Sequence, residues 1–454
     1  METLLMAIVA APGVMFVLLG LGWLAGWTPS ERVMARLTVL TYGGGTAGTI
    51  ALFVAMSRND VQQVGVRIGP WFSVGSYHFA SNLSADWLSL PYILLTVTLV
   101  GLVGAFSRRY LHRDPGYFRF FALLQLFGFG SLLIFSAGSF DLLIVGWELV
   151  GITSVLLVAF FHRRPEPVRG ALYVFAMYRG TDIGLLTAAV AMHHFAHSTV
   201  YREMFRGAWP HQSMAFDGAV GLIALLLVLS AAGKSAQVPF SGWLPRAMEG
   251  PTPSSAVFYG AIAVHAGTYL LLRAYPLLAA SPKVSALVVL IGALTAIHGT
   301  MVGRACADAK TYLSYASLTQ LGIIFVEIGM GWTWLAVFHV VGHAATRTLQ
   351  FLRAPSMLHD FHQIHSAAGG HLAATGAHYE TMIPEKLRCW LYRLAVDRGH
   401  HDTLLERFFL ATLDGAAQAL GAMERIWSPP RPDRETAEWS REVLQVTWKE
   451  RARR

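Results

Sequence analysis

The stretch FDLLIVGWELVGITSVLLVAFF, residues 140–161, decides the class of this protein. At 1.5 Å per residue a helix of this length crosses a hydrocarbon core about 30 Å thick. Beyond Asp141 at its start, its only charge is Glu148, in mid-run between Gly146 and Gly151. A charge within a span costs about 2.5–3.5 kcal/mol on insertion scales, so such a carboxylate faces a bundle interior or water and marks an ion path.

Apolar runs near 20 residues recur outward from this one. They place helices near 4–27, 33–56, 87–106, 118–137, 140–161, 168–193, 218–236, 254–275, 284–303, 310–330 and 332–353. The chain of 454 residues is 54% hydrophobic and only 14% charged, where soluble domains carry about 25% charged residues. Its mean hydropathy is +0.47. It reads as an all-α polytopic membrane protein of about eleven transmembrane helices; a barrel, with alternating segments of about 10 residues, is excluded. The first run is too long for a signal segment and has Glu2 where a positive region belongs, so it is kept as a helix.

Alternating the sides puts Arg32, Arg36, Arg108, Arg109, Arg113, Arg119, Arg163, Arg164, Arg169, Arg304 and Lys310 on one face, with fewer basic residues opposite. The positive-inside rule then expects the N-terminus outside and residues 354–454 as a cytoplasmic tail in an inner membrane. This topology accounts for the net charge of +8 without nucleic acid. Residues 1–353 form the transmembrane domain, with 61–80 as an outer hairpin or loop around Gly65, Gly69-Pro70 and Gly75. In the tail, Leu405, Phe409, Leu413, Ala416, Leu420, Met423 and Trp427 give an amphipathic helix over 402–427, to lie on the lipid bilayer or against a partner. A last short helix is expected around Trp439 to Trp448.

Cys306 and Cys389 are too few and too far apart for an iron–sulfur or cysteine-rich zinc site. The tail histidines, His362 and His365 among them, lack a carboxylate or cysteine arrangement to complete a metal site, so neither metal nor cofactor is assigned to this chain.

Lys234 is a second charge near the end of an apolar run. Gly233-Lys234-Ser235 is not a phosphate loop, because the first glycine of that motif would fall at Val228. Gln237, Pro239, Gly242, Pro245, Gly250, Pro251 and Pro253 follow it, and such a density of breakers beside a buried lysine reads as a discontinuous helix. Burial disfavours a charged lysine and a nearby carboxylate favours it, so a Glu–Lys pair of changing separation is a switchable proton relay. Arg179 and Asp182, three apart, read as a pair that satisfies itself. His265, His339 and His343 are histidines within spans, the last two on one helical face, and histidine can shuttle protons near neutral pH. Arg347, one turn beyond His343, only sets the local field, since a guanidinium does not deprotonate. Glu327 reads either as a path residue or as an interface group.

At Trp147-Glu148-Leu149-Val150-Gly151, Gly233-Lys234-Ser235-Ala236-Gln237, Trp243-Leu244-Pro245 and Ala247-Met248-Glu249-Gly250-Pro251-Thr252-Pro253, the sequence resembles the antiporter-like subunits of respiratory complex I and of Mrp sodium/proton antiporters, closest to the NuoL type. Asp114-Pro115-Gly116-Tyr117 and Tyr312-Leu313-Ser314-Tyr315 followed by Gln320-Leu321-Gly322 agree, and the likeness covers roughly residues 85 to 360. It implies that Glu148 and Lys234 match the family's Glu/Lys pair of the proton path, with Lys234 on a broken helix. Tyr259 stands where the family usually has a histidine, with His265 the nearest histidine, and Arg347 replaces a later lysine. Full subunits continue through a second broken helix, whereas the spans here stop near Arg353, which implies an incomplete second repeat.

Phe351-Leu352-Arg353-Ala354-Pro355-Ser356 with Leu358-His359-Asp360 is similar to DabB, the membrane subunit of two-component inorganic-carbon transporters. That likeness implies a large cytoplasmic DabA-like partner and places any zinc in that partner. The combined expectation is a proton-conducting subunit. Its path runs through Lys234 under control of Glu148, then by His265 toward His339 and His343, with Arg179, Asp182, Tyr259, Glu249, Glu327 and Arg347 shaping the field. The chain itself is expected to carry no catalysis. A pump subunit among complex I-type membrane subunits and a non-conducting scaffold are the alternatives.

Overall fold

The computed structural model describes residues 1–354 apart from 76, 211, 212 and 307, and then 366, 382–399, 405 and 411–427. Each of the eleven expected spans coincides with helical structure. The bundle helices are α1 (Glu2–Leu24), α2 (Glu31–Arg58), α3 (Ser89–Tyr110), α4 (Tyr117–Ser136), α5 (Phe140–Val158), α6 (Pro165–Phe195), α7 (Val220–Lys234), α8 (His265–Arg273), α9 (Pro282–Arg304), α10 (Ala309–Gly329) and α11 (Thr333–Arg353). Among the described residues, six helices are long and apolar enough on their own to cross a membrane: α1, α2, α3, α4, α5 with the turn to Phe161, and α9. The others carry polar residues that packing covers, as in α6, where Thr181 and Asp182 are buried among its neighbours.

α4 packs along α5, α6 along α7, α2 along α3 and α9 along α10. Asp141 and Pro165 mark where two of the central helices begin: Ser139 caps α5 by accepting the Leu142 N–H, and Pro165 starts α6, where its missing N–H costs nothing. The segment read as a hairpin at 61–80 pairs as two longer antiparallel strands, β1 (Gln63–Val74) and β2 (Tyr77–Asp86), with Gln63 opposite Asp86 and Val74 opposite Tyr77.

A buried ion pair ties this hairpin to the bundle. Asp86 receives Arg273 Nη1 at 2.5 Å and Nη2 at 3.0 Å, and Arg273 also donates to Ser89 Oγ and Tyr269 Oη at 3.0 Å each. Burial works against the Asp86 charge, but the Arg273 guanidinium and the Ser89 N–H and hydroxyl outweigh it and hold the carboxyl down to about 2.

The sequence expectation of one unbroken span over 254–275 is corrected by the structure. After a helical turn at Thr252–Ser255 the chain widens into a π-helix over Ala256–Ala261, loses regular form at 262–264, and resumes as α8 at His265. No proline or glycine cluster marks this second break. At this break α11 packs directly on the widened turn: a Cβ on Gly260 would lie 3.1 Å from Phe351 and 3.3 Å from the Arg347 backbone.

Beyond the bundle, α12 (Glu385–Val396) packs against α9, an element the sequence reading did not name. α13 (Ala411–Trp427) covers the later part of the helix expected at 402–427, and its Leu420 and Met423 are exposed. The expected helix at Trp439 to Trp448, and the tail histidines from His359 to His401, lie outside the described residues.

Candidate functional site: a charged axis at the centre of the bundle

α7 ends at Lys234 because the chain leaves the helix there. Ala236 takes a positive φ of 53°, and the carbonyl of Gly233 accepts the Ala236 N–H at 3.3 Å and the Trp243 indole N–H at 2.9 Å. The ammonium therefore sits at a helix C-terminus, the negative end of the macrodipole. It is 0% exposed. Its Nζ stands 3.6 Å from Asp182 Oδ2, 4.0 Å from the centre of the Tyr178 ring and 4.8 Å from that of Trp147. Gly151 leaves it room, since a Cβ there would lie 3.3 Å from Nζ.

The pairing differs from the one the sequence suggested. Glu148 does not meet Lys234 directly; it is ion-paired with Arg179. Arg179 also donates to Asp182 Oδ2 at 2.9 Å, and Asp182 Oδ1 accepts the Trp147 indole N–H at 2.6 Å. The two residues read as a self-satisfied pair are thus the link between Glu148 and Lys234. α5 supplies Glu148 and Trp147, α6 supplies Arg179 and Asp182, and α7 supplies Lys234. The sum is two carboxylates and two cations, which lets the set stay neutral while any one partner shifts.

Close approach of α7 to α6 holds this geometry. A Cβ on Gly233 would fall 2.0 Å from Thr181 Oγ1, an overlap only backbone movement relieves. Gly233→Ala is expected to push α7 from α6, widen the Lys234–Asp182 gap and destabilise the protein by about 1–3 kcal/mol. Thermal unfolding in detergent checks the cost, and unchanged stability would show that the two helices are not in contact as described.

A second chain of polar groups lies on α8, α10 and α11. His265 Nε2 is 3.0 Å from His343 Nδ1, and His265 Nδ1 contacts the Ala261 carbonyl one turn back. One helical turn from His343, His339 meets Glu327 Oε1 through Nδ1 and Gln320 Oε1 through Nε2, both at 2.9 Å. Gln320, the first residue of the Gln320-Leu321-Gly322 motif, therefore orients the ring. Arg347 donates to the Ala316 carbonyl at 2.9 Å and to Gln350 at 2.7 Å. The two networks approach through Ser235, directly after Lys234, whose hydroxyl donates to the Val264 carbonyl at 2.6 Å, directly before His265.

Glu249 lies apart from both networks. It is exposed on the short turn Ala247–Glu249, beside Lys310, which instead donates to the carbonyls of Met248 at 2.6 Å and Gly250 at 3.0 Å. Tyr259 lies within the π-helix, and its side chain is outside the described set. Among the described residues no cluster of histidine, cysteine and carboxylates could hold a metal ion.

The charged axis also opens sideways. The side chains of Glu148 and Arg179 are 35% and 38% exposed, in a hollow of about 460 Å³ walled by Ile144, Val145, Ile152, Val155 and Phe175. Left open to lipid, an ion pair in the middle of a span is costly.

A multi-pass helical bundle with a buried ionic axis on a broken helix defines an antiporter-like membrane subunit, and comparison with known proteins agrees. The family model described as NADH:quinone oxidoreductase/Mrp antiporter, TM matches residues 137–375, just over half of the chain, and that for the N-terminus of complex I chain 5 matches residues 71–121. The chain belongs to the NADH:quinone oxidoreductase/Mrp antiporter membrane-subunit family. It is similar to NADH-quinone oxidoreductase subunit L of Mycobacterium tuberculosis, 33% identical over 70% of this chain and 50% of the relative. Subunit L of Escherichia coli is 34% identical over 72% of this chain and 54% of the relative. A solved Mrp complex from Dietzia contains a chain similar in fold, with a TM-score of 0.65 and 28% identity, covering 77% of this chain and 37% of that one. The chain spans about half the length of the curated relatives it matches.

Proposed function

We propose that this chain is a proton-conducting subunit of a larger membrane assembly, in which Lys234 is the proton carrier and Asp182, Arg179 and Glu148 form its switch. The observation that carries the reading is the continuous run Glu148–Arg179–Asp182–Lys234 at the end of a broken helix, with the carrier fully buried. When Arg179 leans to Glu148, Asp182 is free to hold the lysine ammonium. When Arg179 leans to Asp182, the ammonium loses its counter-charge and passes its proton on. The next acceptors are the histidine chain of His265, His343 and His339, ending at Glu327, with water bridging from Lys234. Arg347 sets the field beside His343 and carries no proton.

The side opening at Glu148 and Arg179 supports a second membrane subunit as neighbour, because a covering helix removes the cost of presenting that pair to lipid. The finer reading is coupling of the proton gradient to uptake of dissolved inorganic carbon by a large cytoplasmic DabA-like zinc protein. It rests on the Phe351–Asp360 sequence likeness, of which residues 355–360 lie outside the described set. The competing reading, a redox-driven pump subunit, is favoured by the complex I relatives.

The test is proton flux in liposomes bearing the assembled complex. Lys234→Ala and Glu148→Gln are expected to abolish coupled flux while leaving assembly intact; normal flux in both variants overturns the reading. Metal and flavin analysis of the purified complex separates the finer readings. Zinc in one large soluble partner without iron supports inorganic-carbon uptake, and iron–sulfur or flavin subunits support the redox pump.

A further inference from the structure

A cavity of about 750 Å³ opens where the first turn of α2 meets the last turn of α3, lined by Ser30, Glu31, Arg32, Arg108, Arg109 and His112. Its one carboxylate is already engaged. Glu31 is paired with His112 Nδ1 at 2.6 Å and accepts the Arg113 N–H at 2.9 Å. Arg32, Arg108 and Arg109 have no ion-pair partner among the described residues, and all three are exposed. Ser30 makes no side-chain capping bond, so first-turn N–H groups of α2 add positive potential at the same rim. Arg36 stands one turn further along.

The wall below this basic rim is apolar and faces outward. Thr38 and Tyr42 of α2 face Gly104 and Gly101 of α3, which turns Val39 and Leu102 to one flank of the pair; Val39 is exposed there, Leu102 is 42% exposed, and Trp27 is exposed at the α1–α2 turn. A free anion uses only the rim; a molecule with a phosphodiester head and acyl tails fits rim and wall together. Surplus guanidinium charge at a membrane surface attracts anionic head groups.

The geometry points to a binding site for one anionic phospholipid between α2 and α3, its phosphate held by Arg32, Arg108 and Arg109 and its acyl chains lying along Val39 and Leu102. The site is separate from the charged axis and does not depend on the chain's transport role.

The experiment uses the full chain, delipidated in detergent, with its thermal unfolding followed during titration with phosphatidylglycerol, phosphatidylcholine or inorganic phosphate. Phosphatidylglycerol is expected to raise the midpoint and the other two to leave it unchanged. Arg32→Gln/Arg108→Gln/Arg109→Gln is expected to weaken the phosphatidylglycerol response about 100-fold in apparent affinity. It is also expected to co-purify with less anionic lipid by mass spectrometry. An equal response to phosphatidylcholine in the unaltered protein overturns the proposal whether or not the variant folds. So does equal stabilisation by inorganic phosphate, which marks a soluble-anion site, or an unchanged lipid response in the triple variant.

Discussion

Asp182→Asn is expected to abolish measurable proton flux and to destabilise the protein by about 3–5 kcal/mol, the cost of leaving one member of a buried ion pair without its partner. The asparagine keeps the volume and still offers an oxygen to the Trp147 indole, 2.6 Å away in the native protein, so the loss is electrostatic rather than steric. What remains is the fully buried Lys234 ammonium, with two aromatic faces as its nearest company. Asp182→Asn combined with Lys234→Met separates stability from transport. Removing both charges should recover most of the unfolding free energy, by the logic of a double-mutant cycle, and none of the flux. Flux that survives Asp182→Asn would remove Asp182 from the switch and return control of Lys234 to Glu148 alone.

Arg273→Met is expected to be comparably severe for stability, about 3–5 kcal/mol, with no direct role in transport. It strands the Asp86 carboxylate, which sits buried at the end of the hairpin with Leu88 and Ser89 as its remaining donors. The pH dependence follows from the Asp86 carboxyl, held at about 2 against an ordinary value of 3.8. A folded-state value below the unfolded one gives stability that is fully present above the unfolded value and is lost as pH falls toward the folded one. Asp86 therefore contributes about 2 kcal/mol above pH 4, lost between about pH 4 and pH 2. Unfolding midpoints measured across that range should fall for the native protein, and Arg273→Met should lose this share of the fall. Full stability of Arg273→Met would mean that the hairpin is not anchored to α8 by this pair.

Both predictions concern residues that the sequence reading undervalued, for the same reason. Asp86 and Arg273 lie 187 positions apart, and each fell at the edge of an apolar run, where a charge reads as an ordinary loop or interface residue. Arg179 and Asp182 have helical spacing that lets them satisfy each other, so their contacts to Glu148 and Lys234 were hidden behind a simpler local explanation. Gln320 had no signal beyond a motif. A carboxamide is cheap enough to bury that its presence in a span marks nothing by itself.

The sequence by itself determined that this chain is a bundle of membrane helices, because burial of about twenty apolar residues per helix is a one-dimensional property that survives without knowledge of neighbours. It also singled out Glu148 and Lys234, because a charge inside such a run is costly. The proline and glycine density after Lys234 made the first helix break legible for the same local reason. Only the tertiary structure decided who pairs with whom. Lys234 faces Asp182 because Gly233 lets α7 approach Thr181 on α6, and the break before His265 lies where α11 packs closely on Gly260. Pairing depends on helix rotation and approach to within a few tenths of an ångström, which close packing of distant segments fixes and no local pattern encodes.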